Sequence, residues 1–407
     1  MMWTTRPWRT LAVLAVLLTV VSLPAFADWG KGVAAYQKKD YRTAVKEFTD
    51  VTKTNPDFAG GYYMLGLAQS QLGQTSQALG NLRKAVELDG DNPQYKVALA
   101  QVLIQAKQYA EAYSLLKKVK PAKLAARQKG LYALLFARAA TKTNRPQEAI
   151  RVLEQQTRAD PKNARLFQAL GVAYNEAGDD ARAFRAFAKA FSLNPKDYGS
   201  GRSAVYAAIA AGRRASASAK ATYYQEAARI AKKLASARPT FEHLLLAGET
   251  LLGARNYSSA LTWFEKAAAK KPQNALVHFY MGQSYTQLGK YDTAIAELQK
   301  AIKLGADGKL RRQVYNQLGY IYDKKKSYDK AIEMYATIGN TSKVNEMKAK
   351  KEKQKQNEEA ERQLEEYKRK IAALEAQADE LEKLGQVEEA QQLREQVQQL
   401  KAAIKNR

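Results

Sequence analysis

The chain has 407 residues, with 66 Lys and Arg against 40 Asp and Glu, a net charge of +26, no cysteine and two histidines. Lack of cysteine excludes a disulfide framework, a thiol nucleophile, a zinc finger and an iron–sulfur cluster. His243 and His278 leave little for a metal site or a catalytic triad, and only 10 prolines beside frequent alanine runs point to a helical protein.

The N-terminus reads as an address. Arg6 and Arg9 precede a 13-residue apolar run, Leu11 to Leu23, broken only by Thr19 and Ser22. Pro24 and the small-x-small triplet Ala25-Phe26-Ala27 follow. This pattern predicts a secretory signal peptide over residues 1–27, cleaved before Asp28. The run is short of the roughly 20 apolar residues that span a bilayer. No cysteine follows to carry a lipid, so the expectation is a soluble periplasmic chain, not a lipoprotein. Loss of Arg6 and Arg9 takes the charge from +26 to +24.

Self-comparison then finds a repeat. Small residues recur at Gly32, Gly66, Ala100, Ala137, Gly171, Gly248, Gly282 and Gly319, spaced 34, 34, 37, 34, 77, 34 and 37. Twelve residues after each stands an alanine: Ala44, Ala78, Ala112, Ala149, Ala183, Ala260, Ala294 and Ala331. Four residues later comes a large apolar side chain, as in Phe48, Leu82, Leu116, Leu153, Phe187, Phe264, Leu298 and Tyr335. Pro56, Pro161, Pro195 and Pro272 close several units, and Tyr41, Tyr109, Tyr257, Tyr291 and Tyr328 open second helices. Small residues on one helix let the next approach, and the large one fills the gap.

This spacing resembles the tetratricopeptide repeat (TPR) family over residues 28–341, about nine units. The resemblance implies an all-α fold, a TPR α-solenoid of helix-turn-helix units. Two departures stand out. The third unit stops early at Lys120-Pro121. The sixth, Tyr198 to Pro239, is Ala/Ser-rich and about ten residues too long, which predicts either an extended helix or a loop near 213–220. A bend in the array is expected near 198–239.

Residues 342–407 form a charged helix and coiled coil. Leu364, Tyr367, Ile371, Leu374, Ala378 and Leu381 follow a heptad seam, which breaks at Leu384-Gly385-Gln386 and resumes at Leu393, Val397, Leu400 and Ile404. The break reads as a hairpin, as a self-associating coil or as a partner's docking helix.

Searches for chemistry fail. No phosphate-binding glycine loop, dinucleotide fingerprint or H-E-x-x-H occurs, and Asp179-Asp180 reads as a helix cap. The chain is read as a non-enzyme with no cofactor and no metal. Binding is what remains. The resemblance implies that the first helices line a concave face, which here offers Trp29, Tyr36, Tyr63, Gln71, Gln101, Gln105, Arg138, Lys142, Gln168, Asn175, Gln283, Gln287, Asn316 and Tyr320. Amides and aromatics suit an extended peptide. The first unit has Trp29 and Val33 where a carboxylate-clamp subclass would need lysine and asparagine.

Charge is uneven: residues 93–160 hold 13 basic and 4 acidic residues, residues 198–241 hold 8 and 1, and the tail from 342 is nearly balanced at 15 and 14. The reading is an exported protein-protein interaction scaffold that takes peptide or protein partners, acidic ones included, and orients or self-associates through its coil. The alternative is an envelope adaptor whose basic stretches grip anionic lipid or cell-wall polymer. The export signal argues against nucleic acid.

Overall fold

The computed structural model describes residues 27–405; the signal peptide expected over residues 1–27 lies, all but its last residue, outside them. Twenty α-helices make up the described fold, with no strand among the described residues. They run as pairs. First helices are α1 (Ala27–Gln37), α3 (Ala59–Gln71), α5 (Pro93–Gln105), α7 (Ala126–Lys142) and α9 (Ala164–Glu176). The series continues with α11 (Tyr198–Arg214), α13 (Phe241–Gly253), α15 (Ala275–Gln287) and α17 (Gly308–Lys324). Their partners are α2 (Tyr41–Thr54), α4 (Thr75–Leu88), α6 (Tyr109–Lys117), α8 (Pro146–Ala159) and α10 (Asp180–Leu193). After these come α12 (Ala217–Ala237), α16 (Tyr291–Lys303) and α18 (Tyr328–Thr337), while α13 ends one compact unit and α14 (Tyr257–Lys270) opens the next. The tail is α19 (Thr341–Lys383) and α20 (Val387–Lys405). Two compact units result, one ending at Asn256 and the other beginning at Tyr257, between α13 and α14.

The repeat signature has a steric cause. A Cβ on Gly66, Gly171, Gly282 or Gly319 would lie 2.6–2.7 Å from Leu82, Phe187, Leu298 or Tyr335 of the paired helix. The eight signature alanines are all fully buried, so the helices meet at alanine and the large side chain fills the groove beside it. Turns within the pairs share one device. Seven residues after each of the eight signature small residues the chain passes through a left-handed residue: Lys39, Gly73, Lys107, Asn144, Gly178, Arg255, Gly289 and Lys326. Caps then start the second helices, as where Asp40 accepts from Thr43 N–H and Asp179 from Arg182 N–H.

The irregular spacings are helix lengths. The two 37-residue steps coincide with α7 and α17, which have 17 residues where α3, α5, α9 and α15 have 13. In the third unit α6 has only 9 residues and gives way to a 3-10 turn, Pro121–Lys123. The sixth unit spends its surplus on helix: α11 has 17 residues and α12 has 21, joined by extended Ala215 and Ser216 alone. No loop protrudes there.

Counting from the prolines recovers the sixth unit's register. Gly66, Gly171 and Gly282 stand ten residues after Pro56, Pro161 and Pro272, and so does Val205 after Pro195. Phe48, Leu153, Phe187 and Phe264 stand eight before a closing proline, and so does Ala231 before Pro239. The sizes at the two positions are exchanged, and both residues are buried, Val205 and Ala231 at 0% exposure. A second exchange accompanies it: Gly201 faces Leu234, whose Cδ2 would lie 2.8 Å from an added Cβ.

In the second unit the start of α19 lies over the last pair. Met347 is fully buried with Tyr335 and Ala331, while Lys350 bonds Asp323 at 2.8 Å and Glu346 at 3.0 Å. Beyond residue 355 the helix is largely solvated until it meets α20. The two pack on each other as a hairpin through the turn at Leu384–Gln386, where Gly385 has φ +79°. Ile371, Ala378, Ala390 and Val397 are buried between them, and Leu364, Tyr367, Leu374, Leu381, Leu393, Leu400 and Ile404 are half-buried. Lys401 pairs across with Glu375 at 2.7 Å.

Candidate partner-binding face

In the unit ending at Asn256, successive first helices touch one another from α1 to α9, whereas successive second helices do not meet to the same degree. First helices therefore approach one another more closely than second helices do. Each is buried where it meets its neighbours and leaves a narrow stripe to solvent.

That stripe changes character along the unit. At its start lie aromatics. Trp29 packs against Phe48 and Phe58, with ring centroids 5.4 and 5.1 Å away, so its ring is spent largely on the core of the first pair. Tyr36 meets Tyr41 edge-on at 5.4 Å, and Tyr63 meets Tyr95 at 4.8 Å. Burial, then neighbouring Tyr95, pushes the Tyr63 hydroxyl up to about 12. Burial also raises Tyr36, with Tyr41 and Tyr63 adding to it. Tyr36, Tyr63 and Tyr95 therefore form a row of neutral hydroxyls across α1, α3 and α5. Amides follow. Ser70 Oγ of α3 donates to Gln105 Oε1 of α5 at 3.4 Å, Gln101 is half-buried and Gln71 is exposed.

Cations come next. Arg138 and Lys142 are exposed one turn apart on α7, and Gln168 is half-buried and Asn175 exposed on α9. Burial lowers the pKa of Arg165 on the same helix. On α11, Arg202 and Tyr206 lie one turn apart, with Tyr206 58% exposed. The stripe closes at Glu249 of α13, whose carboxyl is pushed up by burial against the opposing pull of Arg213. Sequence reasoning did not find Tyr95, Arg202 or Tyr206. Tyr95 lay outside the positions compared between units, and the other two belong to the unit whose register the exchanged sizes conceal.

The second unit holds the remaining candidates. Gln283 is half-buried and Gln287 exposed on α15; on α17 Asn316 is half-buried and Tyr320 is 40% exposed with Lys324 Nζ 5.5 Å from its ring centre. α15 and α17 touch, so these four share a neighbourhood of first helices.

Both histidines are structural. His243 Nδ1 lies 2.8 Å from the Arg238 carbonyl. His278 is 2% exposed and spans from Glu297 Oε2, 2.6 Å from Nδ1, to the Pro272 carbonyl, 3.1 Å from Nε2. It ties α15 to α16 and to the preceding connection. Among the described residues no three His, Cys, Asp or Glu side chains gather as a metal site would need, and no helix is long and apolar enough to cross a membrane.

Two repeat-family models match parts of the chain. The model of tetratricopeptide repeat matches residues 134–198 and 280–342, and that of anaphase-promoting complex, cyclosome, subunit 3 matches residues 74–156 and 220–301. Tetratricopeptide repeat protein 37 of Xenopus laevis is 28% identical over 165 residues, covering 39% of this chain and 10% of that protein. Superkiller complex protein 3 of Mus musculus gives the same identity and coverage. The chain thus spans about a tenth of the length of the curated relatives it matches. Among solved structures, a MamA protein is 20% identical, covers 43% of this chain and 94% of its own, and has a TM-score of 0.38. Repeat matches and helix packing together make the chain a TPR α-solenoid, an architecture that serves as a protein–protein interaction scaffold.

Proposed function

We propose that the first-helix stripe of α1 to α11 receives an extended segment of a partner protein. The supporting observation is the contact pattern, in which successive first helices touch from α1 to α9. The graded chemistry along that stripe supports a segment with apolar or aromatic side chains over Tyr36, Tyr63 and Tyr95 and acidic ones over Arg138, Lys142 and Arg202. Aromatics and arginine are the side chains that concentrate binding energy at interfaces, and opposite charge fixes direction. Glu249 would repel an acidic segment and so mark where it stops.

In this reading the chain acts outside the cytoplasm after removal of residues 1–27, and the α19–α20 hairpin orients or oligomerises it. N-terminal sequencing of the protein from producing cells checks the first point, with Asp28 expected as the first residue. A photo-crosslinking amino acid at position 63, 138 or 206 is expected to capture a partner, and one at Arg151 or Gln155 on α8 is not. Capture from α8 positions alone would sink the first-helix reading.

A further inference from the structure

The third unit's early ending has a chemical result. Where other units close on Asn55-Pro56, Asp160-Pro161 or Asn194-Pro195, this one closes on Lys120-Pro121. Val119 and Leu124, 6% and 4% exposed, pin the connection at both ends. Between them the 3-10 turn is held by Lys123 N–H donating to the Lys120 carbonyl and Leu124 N–H to that of Pro121, both at 3.1 Å. The anchored backbone turns Lys118, Lys120 and Lys123 outward, and Lys96 joins them from the first turn of α5. These four lysines, with Asp91, Pro93 and Val119, line one concavity of about 30 Å³. Among the described residues none of the four lysines makes an ion pair.

Four lysines lining one small space bring like charges near it, and Asp91 offsets only one of them. A single carboxylate would leave the site strongly cationic; a phosphoryl group brings about two charges and three acceptor oxygens to up to twelve N–H donors. The concavity is too small to enclose an oxyanion, which would sit at its mouth among the lysines. Positive charge at the start of α5 adds to the same field. We propose that Lys96, Lys118, Lys120 and Lys123 form a receptor for a compact multivalent oxyanion, a phosphate or pyrophosphate group, free or carried on a lipid headgroup. The site is separate from the first-helix stripe and does not depend on the partner reading.

The basic face of α12, around Arg229, Lys232 and Lys233, is the natural control. It is open surface, and its arginine is already engaged by Glu226 at 2.9 Å. The test is calorimetric titration of the full chain with pyrophosphate, phosphate and acetate at low salt. Pyrophosphate is expected to bind saturably at one site and at least about tenfold more tightly than acetate. Lys118→Glu with Lys120→Glu should weaken it at least about tenfold, whereas Lys232→Glu with Lys233→Glu, the same change in charge, should alter it by less than about twofold. Asp91→Asn should strengthen it. Absence of saturable binding in the unmodified chain, or equal weakening in the two charge-reversed variants, overturns the proposal. A vesicle arm separates the sources: co-sedimentation with phosphatidic acid vesicles but not phosphatidylcholine ones, lost in K118E/K120E, assigns a lipid headgroup. Pyrophosphate binding without vesicle capture assigns a free ligand.

Discussion

Units five and six solve one packing problem in opposite ways. In unit five, Gly171 on α9 makes room for Phe187 on α10, whose ring would lie 2.6 Å from an added Cβ. In unit six the bulk moves across the same pair of positions, with Val205 on α11 and Ala231 on α12, while Gly201 yields to Leu234. Unit five turns through left-handed Gly178, and unit six through extended Ala215 and Ser216. The comparison teaches that the bulk can sit on either of two paired helices, since close packing demands only that the space between them be filled.

The largest way to break the comparison is Phe187→Ala, which empties unit five and should cost about 3–5 kcal/mol. Because long arrays lose two-state behaviour, hydrogen exchange in α9 and α10 is the better measure. Next comes overpacking. Ala231→Phe alone should destabilise unit six by about 1–3 kcal/mol, and adding Val205→Gly should recover at least half of that. A double-mutant cycle with no coupling would mean the two positions do not share one volume. Gly171→Ala should cost more than Gly201→Ala, since three atoms of the Phe187 ring would lie 2.6–2.7 Å from the new Cβ at 171, whereas at 201 the movable end of Leu234 lies at 2.8 Å and the Phe191 ring at 3.0 Å.

A smaller effect depends on pH. Burial works to raise the Asp179 carboxyl, but the Arg182 backbone N–H and guanidinium outweigh it and hold the group below the usual carboxylate range. A depressed folded-state pKa contributes stability above the unfolded value of about 4, lost as pH falls through the folded value. Asp179→Ala should therefore cost about 1 kcal/mol near neutrality, with the difference shrinking in acid. Smallest is the link between the units: Arg214 Nη1 lies 2.8 Å from Asp180 Oδ2, but the arginine is 72% exposed. Arg214→Ala should cost no more than about 1 kcal/mol and the loss should shrink in high salt.

These contrasts explain what could be read from the chain. Gly66 with Leu82 and Gly282 with Leu298 were legible because each pair keeps small and large in fixed order. Unit six was not, because a search for recurring glycine and phenylalanine misses a pair that trades them. The tail's seam was legible from Ile371, Ala378 and Val397, but its direction was not, since a glycine at a phase break suits several arrangements. The packing of Met347 was hidden by the charged residues around it. Of the candidate face, Tyr36 and Tyr63 emerged from aligned positions, whereas a tryptophan at position 29 reads the same whether it faces a partner or, as here, packs between Phe48 and Phe58.

The left-handed turns carry a consequence for engineering. Lys39, Lys107, Asn144, Arg255 and Lys326 hold φ between 56° and 64°, a conformation that costs side-chain-bearing residues about 1 kcal/mol and glycine almost nothing. Gly73, Gly178 and Gly289 show that the same corner accepts glycine. Five corners therefore amount to a reserve of untapped stability distributed along the chain, each worth up to about 1 kcal/mol on replacement by glycine, less the added freedom of the unfolded chain. Drawing on them one at a time would tune the melting of individual segments without touching either the first-helix stripe or the lysine cluster.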